Sequence, residues 1–339
     1  MNNNIKNRIF DHHRYSDIGR LVELKRRKGL KISLAFPTYN EQANIGNEIE
    51  LVQHTLVKQH PLLDEVVVID SDSADRTVEV ARNAGATVYL ASEILPELGG
   101  GRGKGENLWK SLYVLKGDII AWADADLENF HPRFVYGLIG PLLEDEDLLL
   151  VKAFYERPLS VGGDLLGSGG GRVTEILVRP IFGCFYPQLT FLFQPCAGEY
   201  AGRRSLLEKL PFAMGYGVET GLLIDIYEMY GINVIGQTNL DRRIHRNQNI
   251  ESLGKMSFEI LHAFTERLQK NGRVELNAEM EKKFSRAKFL EEGVSFNEED
   301  VQIGERPPMI SIPSYATRRR SCESWSWLGT AKPYTIASA

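Results

Sequence analysis

Three features of the chain predict an α/β fold built on a mostly parallel sheet. Apolar runs alternate with stretches of helical periodicity, the runs are apolar on both faces, and polar clusters follow their carboxyl ends. A strand covered by helices on both sides reads as continuous apolar sequence, the pattern of parallel sheets. In open sheets of this kind, ligands bind beyond the carboxyl ends of the strands.

Residues 1–30 read as an N-terminal helical extension. Ile18, Leu21, Val22 and Lys25 share one helical face, and Lys25-Arg26-Arg27-Lys28 makes a basic end. The start, MNNNIKNRIFDHHRYSD, lacks the apolar core of a secretory signal. Residues 31–150 read as the first half of the sheet-forming region. A strand from Ile32 to Phe36 breaks at Pro37, and Ile45, Ile49, Val52 and Leu56 follow at helical spacing. A second strand, Val66 to Ile69, runs into Asp70-Ser71-Asp72-Ser73-Ala74-Asp75, and a further helix leads to a third at Ala86–Leu90. A glycine-rich loop at 99–105 precedes a helix marked by Leu108, Leu112 and Leu115, and a fourth strand spans Asp118–Ala123.

Residues 151–277 read as a second half with a looser pattern. Glycine-rich 162–171 precedes a short helix from near Arg172. Pro180–Gly198 is uncharged, but its three prolines and two glutamines argue for buried loop and strand rather than a membrane span. Leu222, Leu223, Ile226, Met229 and Tyr230 mark a helix after Glu219, and Ile232–Ile235 a final strand. Residues 278–339 read as a C-terminal extension, irregular after about Gly304. Surface helices at 144–147 and 291–300 are expected to carry much of the surplus acid.

The 339 residues are 43% apolar and 25% charged with a formal net charge of −5, an ordinary globular balance. That charge argues against nucleic acid and against adhesion to anionic lipid, while leaving small anionic substrates open. Three cysteines without CxxC spacing point to a reducing, cytoplasmic setting with neither a disulfide framework nor a thiolate metal site.

The sharpest chemical signal is Asp124-Ala125-Asp126 at the end of the fourth strand. Two carboxylates at that spacing can hold a divalent cation and a ribose; Mg²⁺ takes one or two carboxylates and completes its shell with phosphate and water. Pro37-Thr38-Tyr39-Asn40-Glu41 ends the first strand and Asp70-Ser71-Asp72-Ser73 the second, although Asn40 and Glu41 would also serve as helix caps. Gly99 to Gly105 places Lys104 at a helix N-terminus, where anions are favoured. Gly169-Gly170-Gly171-Arg172-Val173-Thr174-Glu175 makes a second anion cradle, with backbone N–H groups, a hydroxyl and a bidentate guanidinium. Its alternative is a helix start with a flexible leader. His245 is a candidate imidazole ligand for the cation held by Asp126, Arg243 would neutralise diphosphate, and Glu219 would orient a hydroxyl or cap a helix.

The order strand–PxxNE, strand–DSxS, strand–DxD resembles the nucleotide-sugar glycosyltransferases of the GT-A fold, a Rossmann-like α/β architecture. With GKGENLW at 103–109, GGGRVTE at 169–175, AGEYA at 197–201, GYGVE at 215–219 and RRIHRN at 242–247, the chain from about Ile32 to Glu275 closely resembles the glucosyl-3-phosphoglycerate synthases. The resemblance implies a retaining transfer of glucose from UDP-glucose or GDP-glucose to the 2-hydroxyl of 3-phosphoglycerate. Mg²⁺ would assist, with Mn²⁺ or Co²⁺ as substitutes, in a homodimer without integral membrane contact. It implies donor contacts at Pro37, Thr38, Tyr39, Asn40, Glu41, Ser71, Lys104, Asp124, Ala125, Tyr216, Gly217, Val218, Glu219 and Arg243. Asp126 and His245 would bind the metal, and Gly171, Arg172, Val173, Thr174 and Asn247 the acceptor. Glu219, Lys104 and the backbone carbonyl at Cys196 would sit at the reacting centre; Cys196 stands where the resemblance leads one to expect Leu. The nearest alternative is mannosyl transfer from GDP-mannose to the same acceptor. A sugar-phosphate nucleotidyltransferase is more distant, since its glycine-rich loop follows the first strand rather than the third.

Overall fold

The N-terminal segment contributes a strand as well as a helix among the described residues. The structure, a computed structural model, describes residues 6–161, 164–166, 171–244, 248–290, 293–301 and 303–323. Ile9–Asp11 (β1) adds a parallel strand to the sheet edge, and Ile18–Lys28 (α1) follows, with Asp17 capping its start and Gly29 at φ +63° closing it. Leu21, Val22 and Lys25 are its buried face, as their spacing requires.

Ile32–Thr38 (β2), Glu65–Asp70 (β3), Thr87–Leu90 (β4), Ile119–Trp122 (β5), Leu150–Glu156 (β6), Tyr200–Arg203 (β7) and Ile235–Arg242 (β8) complete one eight-stranded sheet in the order β1-β8-β6-β7-β5-β2-β3-β4. Only β7 runs antiparallel to its neighbours. β2 continues through Pro37 because β5 pairs with it only as far as Ala35, which leaves the later residues bonded on one side.

The period of two along each strand sorts the apolar residues into two cores. Ala35, Val67 and Ile69 face one layer with Trp109, Trp122 and Phe264, while Leu34, Phe36, Val66 and Val68 face the other with Ile49 and Phe134. Ile45–Val52 (α2), Thr77–Asn83 (α3), Lys104–Val114 (α4) and Arg133–Glu144 (α5) are the crossovers. Arg179–Phe185 (α6), Val218–Tyr230 (α7), Ile250–Lys270 (α8) and Pro313–Glu323 (α9) follow. Among the described residues no helix is long and apolar enough to cross a membrane.

Five expectations are corrected. Residues 180–198 contain most of α6 and a 3-10 turn at Pro187–Phe191 instead of a strand; Pro180, the second residue of α6, follows closely on a π-helical stretch, Thr174–Val178. The last sheet strand is Ile235–Arg242, preceded by a turn at 232–234. Its polar Gln237 is buried, accepting from the Phe193 N–H and donating to the Phe191 carbonyl, so apolar periodicity could not mark it. The acidic stretch at 291–300 is not a helix: Gly293–Asp300 (β10) pairs antiparallel with Lys283–Leu290 (β9), setting Asp300 opposite Lys283. α5 ends at Glu144, so 145–147 is no helix either. The chain after Gly304 pairs Glu305–Arg306 with Phe212–Ala213 and then forms α9; residues 324–339 lie outside the described residues.

Candidate active site

A cavity of about 760 Å³ opens at the carboxyl ends of β2, β3 and β5, where the topology places a ligand. Pro37, Thr38, Tyr39 and Glu41 line it from the end of β2, Ser71 from β3, and Asp124, Ala125 and Asp126 from β5. Lys104, Gly171, Arg172, Val173, Thr174, Cys196, Tyr216, Glu219 and Arg243 complete the expected set on its wall. Three expected donor residues are not on that wall. Asn40, at φ +57°, is turned into the loop junction, where its N–H donates to Ser73 Oγ and its Oδ1 accepts from the Ala74 N–H. It is therefore no helix cap, a role that Asn44 fills by position. Gly217 packs on Ala263 of α8, and Val218 is fully buried at the start of α7. His245 and Asn247 lie outside the described residues, as do Gly169 and Gly170.

Opposite charges interlock at the cavity floor. Lys104 Nζ lies 2.6 Å from Asp124 Oδ1 and 3.0 Å from Glu219 Oε1. One nitrogen of Arg243, Nη2, stands 2.9 Å from both Asp124 Oδ2 and Asp126 Oδ1, and its Nε donates to Glu199 Oε1 at 3.0 Å. Burial alone would raise the Asp124 carboxyl, but Lys104 and Arg243 outweigh it and hold the group well below the usual range. Asp126 is pushed the other way, by burial and by Asp124 and Glu199, with Arg243 only partly compensating. Burial opposes the charge on Lys104, yet Asp124 and Glu219 raise its pKa well above the ordinary value. Gly198 belongs here because a Cβ on it would fall 2.1 Å from Asp124 Oδ2.

The second anion cradle starts at Gly171, φ +79°, and Arg172 opens a helical segment that continues into α6. Thr174 is buried, and Arg172 donates to the Gln248 carbonyl at 2.7 Å. Cys196 lies between this cradle and Glu219; burial and Glu219 push its thiol up, with Thr174 opposing. That leaves the thiol a poor nucleophile at neutral pH.

Several wall residues were not singled out by sequence. Asn107 donates to the Ile69 carbonyl, and its Oδ1 accepts from Ser71 Oγ; its place inside GKGENLW was the available signal. Glu259 of α8 accepts from the Tyr216 N–H at 2.7 Å, and Arg157 stands beyond β6 with a buried Nε that has no hydrogen-bond partner. Neither carries a local motif. Lys152, fully buried behind the wall, donates to the Ala197 carbonyl and lies 4.1 Å from the Tyr200 ring centre. Burial drops its pKa to about 8.

The donor set suits a hard divalent cation. Asp126 presents carboxylate oxygen to the cavity, and Asp124, Asp126 and Glu199 converge on one guanidinium, a negative locus that favours a cation. No thiolate competes, since Cys196 is held protonated.

Comparisons with known proteins point to one family. The model of the family "Glycosyl transferase family 2" matches residues 33–210. The glucosyl-3-phosphoglycerate synthase of Petrotoga mobilis is 50% identical over 315 residues, which cover 93% of this chain and 97% of that protein. The crystal structure of mannosyl-3-phosphoglycerate synthase from Rubrobacter xylanophilus is similar at TM-score 0.84 and 34% identity, covering 91% of this chain and 98% of that one. Glucosyl-3-phosphoglycerate synthase from Mycobacterium tuberculosis, solved with Mn²⁺, UDP-glucose and phosphoglyceric acid, is similar at TM-score 0.74 and 39% identity, covering 86% and 94%.

Proposed function

The chain belongs to glycosyl transferase family 2 and, within it, to the glucosyl-3-phosphoglycerate synthases, and from that premise we propose how its residues transfer glucose from a nucleoside diphosphate to the 2-hydroxyl of 3-phosphoglycerate. The supporting observation is one cavity that joins three strand-end motifs and a second anion cradle through the Lys104–Asp124–Arg243–Asp126 network. Residues 31–150, with Tyr216, Glu219 and Arg243, form the donor side; Gly171 to Thr174, with Asn247, form the acceptor side.

In the reaction the bond from the anomeric carbon to the β-phosphate oxygen breaks, and a bond to the glycerate 2-oxygen forms on the same face. The proton of the 2-hydroxyl passes to the departing β-phosphate. Lys104 and Arg243 stabilise the negative charge that grows on this leaving group, a role worth most in a dry site. A divalent cation held by Asp126 and His245 would supply further neutralisation of the diphosphate. Glu219, ion-paired to Lys104, orients the sugar hydroxyls or the acceptor rather than attacking carbon; a glycosyl group trapped on Glu219 would overturn this. Arg172, Thr174 and the backbone at Gly171 and Val173 hold the acceptor's phosphate.

The test incubates purified protein, Mg²⁺ and 3-phosphoglycerate with UDP-glucose, GDP-glucose and GDP-mannose in turn. Phosphatase-releasable glucosylglycerate is expected. Turnover with GDP-mannose alone would make the enzyme a mannosyl transferase, and no glycosylglycerate with any donor would refute the reading.

Two coarser features extend it. A homodimer is supported by the outer face of the β9–β10 hairpin, where Phe289, Val294 and Phe296 are 89%, 61% and 76% exposed and Phe289 pairs with Val294. Light scattering on wild type and Phe296→Asp decides it. A cytoplasmic location is supported by the free thiols of Cys184 and Cys196 among the described residues.

A further inference from the structure

Lys104 leaves the backbone at the end of Gly99-Gly100-Gly101-Arg102-Gly103, a glycine-rich loop with much conformational freedom to lose. Something must hold it, and the structure shows what does. Arg306, far along the chain and beyond the family match at 33–210, reaches back to it. Its Nε and Nη2 form a bidentate pair with Glu106 at 2.7 and 2.9 Å, while Nη1 donates to the Leu98 carbonyl and Nη2 to the Gly99 carbonyl. Glu106 lies in the first turn of α4, two residues after Lys104, and is fully buried. A Cβ on Gly101 would fall 2.6 Å from the Glu106 carboxyl carbon and 2.8 Å from Arg306 Nη2, so the loop passes directly over the ion pair.

Arg306 is itself well fixed. It pairs with Phe212 in a short antiparallel ladder, its guanidinium lies 5.4 Å from the Trp109 ring centre, and Trp109 Nε1 donates to the Pro307 carbonyl. The Phe212–Ala213 strand continues into Met214, whose carbonyl accepts the Glu106 N–H at 2.9 Å, and then into Tyr216 and Glu219. One C-terminal segment thus braces both the helix that carries Lys104 and the loop that leads to Glu219.

We propose that Arg306 is a positioning residue for donor turnover: by gripping Glu106 and the Leu98 and Gly99 carbonyls it holds the glycine-rich loop so that Lys104 points at Asp124 and Glu219. The proposal rests on the reading of this cavity as a glycosyl-transfer site. A lysine cannot replace Arg306, because a single ammonium lacks the planar fork that serves a carboxylate and two carbonyls together. Lys110 Nζ, 3.0 Å from Glu106 Oε1, keeps that buried carboxylate paired when Arg306 is removed, so folding is expected to survive.

The experiment compares wild type, Arg306→Lys, Arg306→Gln and Tyr315→Phe by steady-state kinetics, calorimetric binding of UDP with Mg²⁺, and thermal melting. Tyr315 anchors the same C-terminal segment away from the cavity, through Glu208 and Arg204. Arg306→Gln is expected to lower kcat/KM for the donor at least tenfold and weaken UDP–Mg²⁺ binding, with acceptor KM within about twofold of wild type. Arg306→Lys should recover only part of this, and Tyr315→Phe should lower Tm without moving the donor constants. Unchanged donor constants in folded Arg306→Gln, or donor and acceptor effects of equal size, would overturn the proposal. If Arg306→Gln fails to fold, Arg306→Lys decides alone: a lower Tm with wild-type donor constants refutes positioning. Wild type that makes no glycosylglycerate refutes the reading of the site instead, a separate outcome.

Discussion

On the donor side of the cavity, Lys104, Asp124, Arg243, Asp126 and Glu199 are locked to one another at 2.6–3.0 Å, supplied by α4, the ends of β5 and β8, and the residue before β7. On the acceptor side, Arg172 is half-buried, and its hydrogen bond among the described residues goes to a backbone carbonyl, that of Gln248. The donor side resembles a polar network satisfied in advance, which costs little reorganisation when charge develops on the leaving phosphate. The acceptor side holds its guanidinium at the cavity wall by a backbone carbonyl rather than by a carboxylate, as suits a group proposed to capture a small polyanion. Catalytic charge and capture charge are therefore built differently within one cavity.

The largest effect should come from breaking the donor network. Asp126→Ala removes the cavity-facing carboxylate and leaves Arg243 with two of its three carboxylate partners. We expect kcat to fall by about 10³ while acceptor KM changes little; single-turnover assays over a range of Mg²⁺ concentrations check this. A loss of less than about tenfold would show that the locked side is scaffolding rather than machinery.

Arg172→Ala tests the acceptor side. A charged hydrogen bond is worth about 1.5–3 kcal/mol, or roughly 10- to 150-fold in affinity. The apparent KM for 3-phosphoglycerate should rise by about that factor, with donor KM and kcat nearly unmoved. Equal effects on both substrates would erase the distinction between the two sides.

The same division governs what could be read before the structure was known. The cavity residues at strand ends come in short motifs, so the place of Pro37, Thr38, Tyr39, Glu41, Ser71 and Asp124 to Asp126 on its wall was legible as local pattern plus topology. Arg157, Glu259 and Arg306 were not, because each arrives from a distant element and acts through long-range contact that no periodicity encodes. β8 escaped apolar counting because Gln237 and Thr238 are buried and polar, and the β9–β10 hairpin escaped because its acidic strand is exposed on both faces. Asn40 shows the converse limit: it lies in a motif that reads as donor-binding, yet its side chain ties two loops together.

Lys152 lies behind the seam between the two sides, bonded to the Ala197 carbonyl. Burial depresses its pKa from 10.5 to about 8. Between those values the unfolded chain holds a proton that the folded chain has released, so raising the pH stabilises the fold. The penalty of a buried charge is fully present below about pH 8 and fades towards the unfolded value. Relative to Lys152→Met, wild type should gain up to about 1.4 kcal/mol per pH unit in that window, measured by urea unfolding from pH 7.5 to 10. A flat difference would mean that the seam keeps its charge.

The smallest effect is expected from Cys196→Leu, which restores the residue that the family resemblance leads one to expect. Cys196 faces the cavity between Thr174 and Glu219, but its thiol is held protonated by burial and by Glu219. Its backbone is steadied from the next residue, where Lys152 grips the Ala197 carbonyl. If the seam acts through the carbonyl, the added volume should change kcat by no more than about threefold and shift acceptor KM modestly, as tolerated apolar swaps do. Iodoacetamide at neutral pH should likewise leave Cys196 unlabelled by mass spectrometry. A hundredfold loss of kcat in Cys196→Leu, or rapid labelling of Cys196 with loss of activity, would put the side chain itself at the reacting centre. The seam would then belong with the locked donor side rather than between the two.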